Sequence, residues 1–251
     1  MKKSNLLSKK VGRIVADNFK TAAVFSKHGI DFCCNGGITL EEACKVQKVS
    51  SDELVDELIQ LSETKDDTPY NKMSQEALIN HVVEVHHKYV STSIPVLKAY
   101  LEKLCRVHGE KHPELFEIRD EFGEAAEHLN AHMKREERIL FPYLIAMYRA
   151  EKDHYTLSPP HFGHIDDPIS LMEEEHDNEG ARFRRIKELS SGYCPPPGAC
   201  QTYRVTYAML EEFESDLHTH IHLENNLIFP TARESFKNFD FETSDLGNKK
   251  S

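Results

Sequence analysis

The chain is expected to be all-α, with a small helical N-terminal domain followed by an up-down-up-down four-helix bundle. Three observations predict this. Apolar residues recur every three to four positions almost throughout, the period of a helix face, and no segment carries a strong strand signal. Capping and proline signals divide the chain into short helices before residue 62 and four long ones after residue 74. A pattern of eleven residues also occurs twice, as His132-Met-Lys-Arg-Glu136-Glu-Arg-Ile139-Leu140-Phe141-Pro142 and His220-Ile-His-Leu-Glu224-Asn-Asn-Leu227-Ile228-Phe229-Pro230. Each copy sets His, Glu and two aliphatics at i, i+4, i+7 and i+8, one face of one helix.

With 251 residues the chain accommodates one domain of ordinary size and a smaller one. Charged residues at 29% and apolar ones at 39% fit a soluble globular protein, and a net charge of −11 argues against nucleic acid or an anionic membrane as main partner. No apolar run approaches the ~20 residues needed to span a bilayer. The N-terminus is basic but lacks a continuous apolar stretch with a cleavage site, which predicts mature, cytoplasmic sequence. The six cysteines (Cys33, Cys34, Cys44, Cys105, Cys194, Cys200) are expected as reduced thiols. Fifteen histidines are the compositional outlier.

Residues 1–62 form the expected N-terminal domain. Val11, Ile14, Val15, Phe19, Ala22 and Ala23 make one amphipathic stripe that ends near Gly29. Thr39 with Glu42, and Ser50 with Glu53, are capping-box pairs opening two further helices. Between them and the stripe lies a tight turn, Asp31-Phe-Cys33-Cys34-Asn-Gly36-Gly37, displaying adjacent thiols. Residues 63–73 read as a polar linker, 74–238 as the bundle and 239–251 as a polar tail. The first bundle helix spans about residues 74–107 with a bend at Pro95, and the second starts at Pro113 and reaches about residue 148. Asp167 caps the third, which runs to about Leu189 before the Pro195–Gly198 loop; the fourth covers about residues 202–236.

Helix faces select among the histidines. His87 shares a stripe with Ile79, Val83, Val90 and Ile94, His132 and Glu136 with Leu129, Ile139 and Leu140, His176 with Ile169, Met172 and Phe183, and His220 and Glu224 with Leu217, Leu227 and Ile228. Gly180 leaves room beside the His176 ring. His87 and His176 lie near the starts of their helices, His132 and His220 near the ends of theirs, so alternating helices bring all four to one level. Buried imidazoles and carboxylates need partners, and two metal ions are economical ones. Four imidazoles and two bridging carboxylates supply roughly eight bonds where two octahedral ions take roughly twelve, leaving an oxo or hydroxo bridge and open positions. Nitrogen and oxygen ligation without thiolate favours iron over manganese. His86 is placed at the boundary; His218 and His222, opposite His220, are placed in solvent. His108 lies 21 residues beyond His87, roughly 30 Å along a helix, and is excluded. His128, Glu173 and Asp177 are either supporting groups or ordinary boundary residues. The segments Glu84 to His87 and Glu173 to His176 match the Glu-x-x-His of ferritin-like oxidases, which need a carboxylate-dominated site instead.

With these motifs, Glu175-His176-Asp177 and Pro-Pro-Pro-Gly-Ala-Cys200, the chain resembles the RIC (Repair of Iron Centers) family over nearly its whole length. The C-terminal part is similar to hemerythrin-like bundles. The resemblance implies a di-iron centre on His87, His132, Glu136, His176, His220 and Glu224, with the two glutamates as bridges. It implies repair of iron–sulfur clusters damaged by nitric oxide or peroxide, by iron donation without enzymatic turnover. Damaged iron–sulfur proteins would be its partners, and the protein a cytoplasmic homodimer. Alternative implied roles are reduction of nitric oxide and sensing of nitric oxide or oxygen. For Cys33 and Cys34, thiol or iron exchange and nitrosyl binding stand beside a plain role as buried turn residues. The family turn is usually Cys-Cys-Gly-Gly; here Asn35 intervenes, a residue that tolerates a left-handed backbone nearly as well as glycine.

Overall fold

The computed structural model describes residues 3–62 and 70–239; most of the expected linker, and the tail beyond Phe239, lie outside them. The N-terminal domain contains α1 (Lys3–Leu7), α2 (Val11–Asp17), α3 (Thr21–Lys27), α4 (Leu40–Gln47) and α5 (Ser51–Ser62). The stripe expected to be one helix is therefore two. Asn18 breaks it: its backbone is extended, and its side-chain oxygen accepts from Lys20 N at 3.1 Å, diverting the chain out of the helix. At the start of α4 the capping box is complete, with Thr39 Oγ1 accepting from Glu42 N at 3.3 Å and Glu42 Oε2 from Thr39 N at 2.8 Å. Tyr70–Lys72, within the expected linker, form one 3₁₀ turn. Among the described residues the only β pairing is a lone Lys10–Thr39 bridge, and no helix is long and apolar enough to cross a membrane.

Four long rods build the bundle: α6 (75–108), α7 (114–153), α8 (Asp166–Leu189) and α9 (201–238). Ser74 caps α6 through a 3.2 Å bond from Ala77 N. The α-helical pattern of α6 runs unbroken through Pro95, and its departure from regular geometry falls upstream. Helix α8 starts at Asp166, so Asp167 lies in its first turn rather than at its cap, where a carboxylate still complements the helix dipole.

Three of the rods contain a π-helical turn: Val82–His87 in α6, Glu136–Leu140 in α7 and Glu224–Ile228 in α9. In α7 and α9 the turn leads directly into Phe-Pro. Pro142 and Pro230 have no N–H to offer the carbonyl four residues back, and a wider turn relieves that clash. One extra residue per turn shifts the register. Ile139 is consequently exposed while Leu140 is buried, although an unbroken α-helical period puts both on the inner face. No proline accounts for the turn in α6, where Val82, His86 and His87 are all buried.

The apolar interior is in two parts. One joins the N-terminal domain to the body of the bundle around Leu97, Phe122, Phe183 and Phe213; the other fills the opposite end around Leu78, Phe141, Ile169 and Phe229. The N-terminal domain docks on its own bundle, against α9. Asn226 Nδ2 donates to the Phe32 and Cys33 carbonyls at 3.4 Å each. Gly12 N donates to Gly36 O at 2.8 Å, and a Cβ on Gly12 would lie 1.9 Å from Asn226 Oδ1. This docking corrects the placement of His218 and His222 in solvent. The ring of Phe32 sits 6.3 Å from His218 and 5.7 Å from His222, and His222 is fully buried with Phe19 5.9 Å away. All six cysteines are unpaired.

Burial pushes His222 down to about 4, so it is neutral in the fold at neutral pH. The unfolded chain takes up that proton near pH 6.5, so the stabilisation is complete above 6.5 and lost as pH falls toward 4. Between pH 7 and 5 the wild type should lose about 2 kcal/mol more than His222→Gln in denaturant titrations. Equal losses would refute the role. Gly12→Val should displace Asn226 and destabilise the docked domain by about 1–3 kcal/mol, read as a lowered midpoint of unfolding; an unchanged midpoint would refute the close packing.

Candidate metal centre

Between the two apolar regions lies a polar layer. His87, His132, Glu136, His176, His220 and Glu224 come together there, each at most 2% exposed. They form two groups of potential donors, His87–Glu136–His220–Glu224 and His132–Glu136–His176–Glu224, with the donor atoms of each within 4.8 Å of one another. Both glutamates belong to both groups. Glu136 Oε2 is 3.3 Å from His87 Nε2 and 3.3 Å from His132 Nε2. Glu224 faces His220 with Oε1 at 2.9 Å and His176 with Oε2 at 3.0 Å. The imidazoles pair off, Nε2 to Nε2, at 3.2 Å for His87 and His220 and 3.1 Å for His132 and His176.

Three of the four rings are oriented from behind. His87 Nδ1 donates to Glu137 at 2.8 Å, His132 Nδ1 to Glu175 at 2.8 Å, and His176 Nδ1 to Asn225 Oδ1 at 2.9 Å. With the proton fixed on Nδ1, each Nε2 presents its lone pair to the layer, the arrangement typical of metal-binding histidines. The phenylalanines of the repeated motif hold ring planes: Phe141 stacks on His87 at 5.9 Å and Phe229 on His176 at 6.1 Å.

A cation fits this donor set on three grounds. Both carboxylate oxygens of Glu136 and Oε2 of Glu224 are buried without a hydrogen bond, a costly state for a carboxylate. Facing Nε2 lone pairs repel unless something positive lies between them. Separations near 3 Å also match neighbouring ligands with bonds of about 2.1 Å at right angles. Protons alone balance the layer only in part. Burial opposes charge on His87, yet Glu136 and Glu224 raise it to about 10; burial likewise opposes charge on His132, yet Glu136 and Glu175 raise it to about 10. His220 is instead held low by burial. Burial works against ionised Glu224, but His220 and His176 keep it far below the usual carboxylate range.

The remaining sequence candidates fall elsewhere. His86, expected at the boundary, is buried, bonded through Nδ1 to Asp216 at 2.9 Å and stacked on His220. His128 is exposed and bonds Glu179 at 3.0 Å, while His108 lies 3.3 Å from Cys200 Sγ. Glu173 pairs with Arg233 and Asp177 is exposed. Glu84 is exposed too, so neither Glu-x-x-His segment supplies an inward carboxylate. Glu137, Glu175 and Asn225, absent from the sequence-based selection, are the groups behind the rings. Their signal was adjacency: each is next in sequence to a selected residue, rotated about 100° to meet a neighbouring helix.

The Cys33–Cys34 turn abuts the layer. Asp31 Oδ1 caps it, accepting from Cys33 N at 3.2 Å and Cys34 N at 2.9 Å, and the two sulfurs are 3.7 Å apart. Cys34 Sγ lies 3.5 Å from the His176 carbonyl. A Cβ on Gly180 would sit 3.2 Å from that sulfur, so the room left by Gly180 admits the thiol. A hydrogen bond with Cys34, then burial, push the Cys33 thiol well above its ordinary value. Asp31, Cys33 and Cys34 also form a third compact donor group.

Comparison with known proteins gives two family matches, a domain of unknown function (DUF542) over residues 7–62 and the hemerythrin HHE cation binding domain over residues 78–232. The iron-sulfur cluster repair protein ScdA of Staphylococcus haemolyticus is 33% identical over 220 residues, covering 87% of this chain and 95% of the relative. The iron-sulfur cluster repair protein YtfE of Yersinia pseudotuberculosis is 34% identical over 210 residues, 83% of this chain and 89% of its own. YtfE of Pectobacterium carotovorum is 34% identical over 214 residues, 85% and 91%. By its two domains and its identity to these proteins along most of its length, the chain belongs to the ScdA/YtfE family of iron–sulfur cluster repair proteins.

Proposed function

We propose that His87, His132, Glu136, His176, His220 and Glu224 hold two iron ions, bridged by Glu136 and Glu224, and that the protein repairs damaged iron–sulfur clusters by donating that iron. The observation that carries this reading is the sharing of both glutamates between two buried donor groups. Two cations are a natural occupancy for such a layer, and mixed imidazole and carboxylate ligation suits iron. The names of the relatives point to the clients, proteins whose iron–sulfur clusters need repair; nitric oxide and oxidants are the agents we propose for the damage. Iron held by these residues would supply transferable metal and open coordination positions for small ligands.

The chain's own residues do the rest. Glu137, Glu175 and Asn225 hold three rings in the tautomer that turns Nε2 inward. The apolar regions on either side keep bulk water from the carboxylates. Glu136, Glu224 and Glu175 favour protons on His87 and His132, which iron would have to displace, so loading should strengthen as pH rises.

Iron counting checks the ligand assignment. Glu136→Ala or Glu224→Ala should weaken both positions and leave under one iron per chain, whereas His87→Ala should spare the His132–His176 position. Two irons retained by the Glu136→Ala, Glu224→Ala double variant would overturn it. Repair is measured by incubating the loaded chain with a nitric-oxide-damaged [4Fe–4S] dehydratase. Activity should return in proportion to iron supplied, and the double variant should restore none. Repair by that iron-free variant would sink donation, and nitrous oxide formed over many turnovers under a reductant would replace it with catalysis.

A further inference from the structure

The four imidazoles of the layer are not supported alike. His87 and His132 lean on carboxylates of the bundle itself, and His220 Nδ1 has no hydrogen-bond partner. Among the described residues only His176 of the four is tied to the N-terminal domain, and it is tied at two points. Its Nδ1–H donates to Asn225 Oδ1 at 2.9 Å, while Asn225 Nδ2 donates to the Cys33 carbonyl at 3.3 Å. Its own carbonyl lies 3.5 Å from Cys34 Sγ, in the space that Gly180 leaves open. The neighbouring Asn226 also holds the turn, through the Phe32 and Cys33 carbonyls, but its other partner is His222 rather than a residue of the layer.

We propose that Asn225 is a positioning residue that couples the seating of the Cys33–Cys34 turn to cation retention at the His132–His176 position, leaving the His87–His220 position outside that coupling. This rests on the reading of the layer as a two-cation site. A carboxamide has one acceptor oxygen and one donor nitrogen, and here each is engaged on a different domain. When the turn is seated, the amide cannot rotate, and the His176 ring is held with Nε2 inward. When the turn lifts away, the amide loses its anchor and the ring its fixed tautomer. Loss of such outer support costs ~10–100-fold in metal affinity. The coupling is reciprocal: a cation held by His176 fixes the ring, the amide and therefore the turn.

The test uses the full chain loaded anaerobically with Fe(II). Two readouts are followed, removal of iron by a competing chelator and peptide-resolved alkylation of Cys34 by iodoacetamide. In Asn225→Ala, one of the two irons should be held ~10–100-fold more weakly and the other as in wild type. Iron should slow Cys34 alkylation in wild type and leave it unchanged in the variant. Asn225→Asp is the conservative control, because it keeps an acceptor for His176 Nδ1 but cannot donate to Cys33 O. Because an ionised carboxylate holds the His176 Nδ1–H more strongly than an amide oxygen and needs no anchor on the turn, it should retain both irons and still lose the iron-dependent protection of Cys34. Both irons leaving Asn225→Ala at wild-type rates, or iron protecting Cys34 equally in Asn225→Asp, overturns the coupling while two irons per wild-type chain leave the site reading standing. A wild type holding fewer than two overturns both.

Discussion

Two carboxylates buried at the centre of a helical bundle set the terms for everything around them. Glu136 and Glu224 are fully shielded from solvent, and between them three oxygens lack a hydrogen bond. An ionised carboxylate in such a place is stable only among compensating positive charge. The surrounding imidazoles supply it as protons, or a pair of cations does. Each helix of the bundle contributes one ring to that layer. The apolar regions on either side provide the burial free energy that keeps the layer closed, with each fully buried phenylalanine or leucine worth about 1.5–3 kcal/mol.

The backbone is adjusted to the same requirement. An ideal α-helix carrying His132 and Glu136 inward would turn Ile139 inward as well; the π turn advances the register so that Leu140 takes that place and Phe141 reaches His87. The same happens in α9, where Phe229 reaches His176. The repeated Phe-Pro therefore has a double purpose. Proline shapes the widened turn, and phenylalanine braces a ring on another helix.

The N-terminal domain is part of the wall of this layer. Its glycines allow the approach: Gly12 and Gly36 let α2 and the turn close over Asn226, and Gly180 on α8 admits the Cys34 thiol. The adjacent thiols thus stand over the backbone of His176. For a protein of a cluster-repair family, this places soft sulfur donors beside a harder nitrogen and oxygen site, without either set contributing to the other's donor group.

Much of this was legible beforehand. The 3.6-residue period announced an all-α chain, and the paired His-x-x-x-Glu segments with His87 and His176 singled out the residues that the fold brings into one layer. Periodicity and depth suffice for this, because facing helices of a bundle meet at predictable levels. Residues at the edge of a face were a different matter. His222 lies on the helix face opposite His220, which by period alone is a solvent face, yet the N-terminal domain covers it. Glu137, Glu175 and Asn225 lie about 100° from the inward direction, where only the neighbouring helix decides whether a side chain meets water or an imidazole. The sequence by itself determined the fold class and which helix faces carry imidazole and carboxylate, since those follow from local period and chain order. Only the tertiary structure decided how the two glutamates divide among four rings, which groups stand behind those rings, and that the Cys33–Cys34 turn rests on His176. Those features depend on contacts between distant segments, 192 residues apart for Cys33 and Asn225, a separation about which no local pattern carries information.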